Sequence, residues 1–146
     1  MKRITFILLA LYAILTTYVI LALAFDLPYT QLFTPLLTLL AFLFALLHAS
    51  QRMGWGRALL LVILTFGVSL LFESVGVATG LVYGPYHYTE KLGAKFLGLV
   101  PLLIPLAWFM MTYPSWVIAT RLLPTGWWVW VWRVGAAALG GVVMTA

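Results

Sequence analysis

Polar positions in this chain fall in short clusters, and between them run apolar stretches of about twenty residues, the length that crosses a bilayer as a helix. The first stretch, residues 4–25, follows Met1-Lys2-Arg3 and as a helix would be roughly 33 Å long. It is too long for the apolar core of a secretory signal, about 7–15 residues, so the pattern predicts a span that stays in place. Asp26-Leu27-Pro28-Tyr29 then reads as a turn, because Pro28 disfavours helix at the residue before it. Further spans are predicted at 31–49, 58–82, 100–119 and 127–146. Between them lie a polar, glycine-punctuated loop at 50–57, a tyrosine-rich turn at 83–88, an amphipathic stretch at 89–98 and a short loop at 121–126. Pro101 and Pro105 are expected to start and kink the fourth span. The fold class is therefore all-α: one polytopic membrane domain over residues 1–146, with about five transmembrane helices.

Composition agrees. Hydrophobic residues make up 65% of the 146 positions and charged residues only 8%, too few to cover a soluble globule. The net charge of +5 does not mark a nucleic-acid binder, because the eight basic residues are dispersed at span ends without a run or a stripe. Their bias toward one side (Lys2, Arg3, Arg52, Arg57 and Arg121, with Arg133 close by, against Lys91 and Lys95) predicts a multi-pass cell-membrane protein with a cytoplasmic N-terminus. With no cysteine, neither disulfide nor thiolate chemistry is available.

Candidate chemistry centres on one acid. Asp26 and Glu90 lie at polar turns, where capping and solvation account for them. Glu73 lies inside the third span, about 13 Å below its expected end, and an intramembrane acid is a functional candidate by default. Gly76 and Gly80 share its helical face, and Gly84 continues the four-residue step that lets a second helix approach. Burial there disfavours a charged carboxyl and would keep Glu73 a proton donor. Tyr83, Tyr86, His87 and Tyr88 follow within six residues. They read either as an interfacial aromatic belt or as a lining that stabilises a cation, with His87 as a relay or simply solvated. His48 suits an interfacial or packing role. Trp108, Tyr113 and Trp116 suit either the cavity wall or lipid anchoring. Two histidines and one buried acid on different segments do not make a metal site.

The string Phe72-Glu73-Ser74-Val75-Gly76-Val77-Ala78-Thr79-Gly80-Leu81-Val82-Tyr83-Gly84-Pro85-Tyr86-His87-Tyr88 is followed by Leu92-Gly93 and then by Gly98-Leu99-Val100-Pro101-Leu102-Leu103-Ile104-Pro105-Leu106-Ala107-Trp108-Phe109-Met110-Met111. Over residues 72–115 this resembles the membrane-bound carotenoid biosynthesis family that includes the CruF-type carotenoid 1′,2′-hydratases. The resemblance implies addition of water across the terminal C1′=C2′ bond of an acyclic carotenoid, giving a tertiary alcohol. It also implies a carotenoid substrate within the membrane, no redox cofactor, no metal, and other carotenoid biosynthesis enzymes as partners. Glu73 would then be the general acid and Tyr83, Tyr86, His87 and Tyr88 its companions, with Gly76, Gly80, Gly84, Pro101 and Pro105 shaping the site. Family members are longer, and the apolar run ending at Met144-Thr145-Ala146 would lead there into a Trp-Asp and a later Asp-Pro motif. This chain is accordingly expected to be a C-terminally truncated member. The residues by themselves leave open two other readings: a small proton-coupled transporter, and a structural lipid-binding subunit in which Glu73 bonds a neighbouring helix.

Overall fold

A computed structural model describes residues 2–28, 30–81, 84–122 and 135. Four helices stand among them, each long and apolar enough to cross a membrane: α1 (Lys2–Ala24), α2 (Phe33–Met53), α3 (Trp55–Thr79) and α4 (Leu103–Leu122). The protein is an all-α membrane bundle. The expected fifth span at 127–146, with Arg133 and its tryptophan cluster, lies outside the described residues.

The polar stretch at 50–57 is not a loop. Ser50, Gln51 and Arg52 continue α2, and the reversal into α3 takes place at Gly54 alone. Gly54 has φ +83°, which a side chain would resist, so one glycine does what a longer loop was expected to do. Polar residues there lie within the helices and do not mark their ends. The third helix also stops early. Gly80 takes the left-handed conformation at φ +68° and returns its N–H to the Gly76 carbonyl at 2.8 Å. Glu73 therefore lies six residues, roughly 9 Å, from the end of its helix, closer to the interface than the sequence implied.

Small residues pack the helices together. Ala45 and Ala49 on α2 are buried with Ala58 of α3 against Phe109 and Tyr113 of α4. Without a hydrophobic driving force in lipid, such residues let backbones close up so that dispersion can act. Phe42 meets Phe109 edge-on at 5.5 Å between ring centroids. Polar bonds fix the ends: Gln51 Nε2 donates to Thr5 Oγ1 at 2.6 Å, and Tyr18 Oη donates to the Pro28 carbonyl at 2.7 Å. His48 Nδ1 lies 2.8 Å from Tyr113 Oη and joins α2 to α4, the packing role expected of it.

Between α3 and α4 the chain makes one 3₁₀ turn, Glu90–Leu92, and a two-stranded antiparallel hairpin of β1 (Lys95–Phe96) and β2 (Val100–Pro101). Pro101 thus belongs to the hairpin. Pro105 sits in the first turn of α4, where a missing N–H costs nothing, so it does not kink the helix. The proline that does interrupt the ladder is Pro114, inside α4.

Ala49 has no exposed surface, so Ala49→Leu should overpack the seam between α2 and α4 and cost about 1–3 kcal/mol. Ile63→Leu, on an exposed face of α3, should change stability by less than about 0.5 kcal/mol. Thermal unfolding of both variants in detergent checks the difference.

Candidate functional site

Glu73 comes from the last two turns of α3 and is 5% exposed. A carboxyl held there in lipid is costly unless polar groups meet it. Three side chains do. Tyr86 Oη and Tyr88 Oη donate to Oε2 at 2.6 and 2.8 Å, and Trp108 Nε1 donates to Oε1 at 2.9 Å. The donors come from two elements, the segment after α3 and the start of α4, so the carboxyl ties both to α3.

Residues 86–88 lie outside any helix or turn. Tyr86 and Tyr88 reach the same oxygen, with their rings edge-to-face at 5.5 Å and 86°, while His87 between them is exposed. The segment is held from outside by Lys95 of β1, whose Nζ donates to the Tyr88 carbonyl at 2.6 Å and pairs with Glu90 at 2.7 Å. The hairpin is thus part of the site's support. Gly80 serves the return of the chain through its φ of +68°, which a side chain would resist; a Cβ there would meet the Pro85 backbone only at an ordinary contact distance of 3.5 Å. Gly76 is buried one turn from Glu73 on α3. Gly84, with φ +82°, lies in the bend beyond the helix, where a Cβ would meet open space.

A cavity of about 380 Å³ opens beside the carboxyl, lined by Glu73, Tyr86, Tyr88, Ile104, Ala107, Trp108 and Met111. That is the size of a small-ligand pocket, and its pattern, apolar walls with a few convergent polar groups, is the usual one. The four α4 residues recur at one helical face, a wall that the proline-rich start of the span obscured in the sequence. Of the expected site residues, the structure brings together Glu73, Tyr86 and Tyr88. His87 does not line the cavity, Pro101 and Pro105 are buried in its frame, and Tyr83 lies outside the described residues. Trp108, open to two readings in the sequence, is a direct partner of the acid. Tyr113 and Trp116 do not line the cavity. No group of three or more His, Asp or Glu residues stands as a metal site among the described residues.

Burial, and then the bond to Glu73 with its negative charge, push the Tyr88 hydroxyl well above the ordinary tyrosine range. The unfolded chain loses this proton near pH 10 and the folded chain does not. Stability from Tyr88 is therefore complete below about pH 10 and drains as pH rises toward the folded value. Tyr88→Phe should flatten the alkaline fall in the melting temperature. Because Tyr86 and Tyr88 share one oxygen, a Tyr86→Phe/Tyr88→Phe double-mutant cycle should also show a coupling of about 0.5 kcal/mol or more in unfolding.

No curated protein and no solved structure matches the chain. The family model for carotenoid biosynthesis proteins matches residues 33–146, a stretch that begins at α2 and takes in the acid, its three donors and the cavity wall. This chain belongs to the carotenoid biosynthesis protein family.

Proposed function

We propose that the protein is a carotenoid hydratase, adding water to the terminal C1′=C2′ bond of an acyclic carotenoid end with Glu73 as the general acid. The supporting observation is the convergence of three donors on one buried carboxyl beside an apolar cavity. An isolated trisubstituted alkene is a poor base, so its protonation needs an acid whose conjugate base is well stabilised. Tyr86, Tyr88 and Trp108 are already aimed at the carboxyl oxygens. Their bonds strengthen as the proton leaves and negative charge grows on Glu73, the differential stabilisation that lowers a barrier.

The steps balance around the one acid. Glu73 gives its proton to C2′, the π pair forms the new C–H bond, and a tertiary cation is left at C1′. The ring faces of Tyr86, Tyr88 and Trp108 shelter that cation, each contributing on the order of 1–2 kcal/mol when desolvated. Water bonds to C1′ and its surplus proton returns to the Glu73 carboxylate, which restores the acid. In this reading His87, exposed and not lining the cavity, is not needed for the return. The chemistry calls for neither redox cofactor nor metal.

Arg3, Arg52, Arg57 and Arg121 stand at the helix ends opposite the site. The preference of such residues for the cytoplasm supports a cytoplasmic N-terminus, with Glu73 then in the outer half of a cell membrane.

Expressed in a host that accumulates lycopene, the protein should yield a pigment heavier by one water. Glu73→Gln keeps the size and most hydrogen bonds but has no proton to give. It should lower product at least about 100-fold at equal membrane abundance. Normal turnover in Glu73→Gln would remove the proposed acid. Loss of the protein from the membrane without a specific loss of product would favour a structural role for Glu73.

A further inference from the structure

A second cavity, of about 210 Å³, lies between α1, α2 and α4 and is lined by Leu9, Tyr12, Ala41, Phe44, Ala45, Met110, Met111 and Pro114. Its lining is almost wholly apolar. Met111 belongs to both cavities, so this one side chain stands between the Glu73 pocket and the second space. Along α4 the shared wall extends from Ile104 to Pro114, roughly 15 Å of helix. Pro114 has no N–H to give to the Met110 carbonyl, so the helix ladder is interrupted where the second cavity meets it.

We infer that the second cavity holds the hydrocarbon chain of the same substrate whose end group reaches Glu73, with Met111 as the movable partition. This rests on the proposed reading of the Glu73 site. The polarity is divided accordingly. The acid and its three donors all face the first cavity, which suits a reacting end, and the second offers dispersion contacts to a chain that does not react. A forty-carbon polyene is much too long for the first cavity and must leave it somewhere. Methionine is unbranched and flexible, so Met111 can turn aside for a threaded chain at little cost.

The inference gives α1 a role. Leu9 and Tyr12 form the outer wall, yet α1 precedes residues 33–146, where the family model matches. The reacting end is then read by the shared part of the chain, and the length of the substrate by a helix outside it.

Binding without turnover tests this. The purified protein is loaded with lycopene or with a ten-carbon acyclic polyene bearing the same end group, short enough to stay within the first cavity, and the retained compound is measured by mass spectrometry. Leu9→Trp should weaken retention of lycopene at least about tenfold and leave the shorter compound unchanged. Equal effects on the two, or none on either, would overturn the inference. A photoreactive benzophenone residue in place of Tyr12 keeps the test decisive if Leu9→Trp fails to fold. It should crosslink lycopene and not the shorter compound. Capture of phospholipid acyl chains alone, or of both compounds equally, would show the cavity to be a lipid site. Neither readout depends on hydration, so a failure of Glu73 as the acid would be seen separately, in product formation.

Discussion

A carboxyl inside a membrane has to be met by polar groups, and the architecture of this protein around Glu73 is the answer to that constraint. An unmet charge or hydrogen-bonding group in hydrocarbon costs several kcal/mol, and α3 alone offers the Glu73 side chain nothing. The three donors are Tyr86, Tyr88 and Trp108, and they reach the carboxyl from the segment that follows the helix stop at Gly80 and from the start of α4. Lys95, by holding the Tyr88 carbonyl, sets the segment from the solvent side. One acid thus ties together the end of a helix, the connection that follows it and one face of the next helix.

A costly arrangement of this kind suits catalysis. In the proposed hydration, donors placed in advance on the carboxyl would do little for a bound alkene and much for the carboxylate formed as the proton departs. The cavity wall of Ile104, Ala107 and Met111 is apolar, as a hydrocarbon end group requires, and the polar groups are confined to one end of it. Membership of the carotenoid biosynthesis family and the chemistry of the pocket therefore point to the same kind of substrate.

The four described spans were legible because lipid makes apolarity nearly sufficient to define them. Their ends were less so. Arg52 and Arg57 lie within α2 and α3, and a reversal at Gly54 leaves almost no loop to detect. Glu73 was legible as an acid where none should be, and Tyr86 and Tyr88 as its neighbours in sequence. Trp108, 35 residues away, could not be told from a lipid anchor until α3 and α4 were paired. Ala45 and Ala49 of α2 pack with Ala58 of α3, small residues that look unremarkable in an apolar run. His87, between the two tyrosines in sequence, is exposed and does not line the cavity, which closeness in sequence could not show.

The most direct measurement of the central claim is the origin of the new carbon–hydrogen bond. Membranes containing the protein and lycopene are incubated in heavy water, and the product is examined by mass spectrometry after its hydroxyl has been exchanged back to hydrogen. Protonation of the alkene by a carboxyl that refills from solvent predicts one deuterium retained on carbon for each hydrated end. A hydroxylated product without carbon-bound deuterium, or no product in the presence of the folded protein, would contradict it.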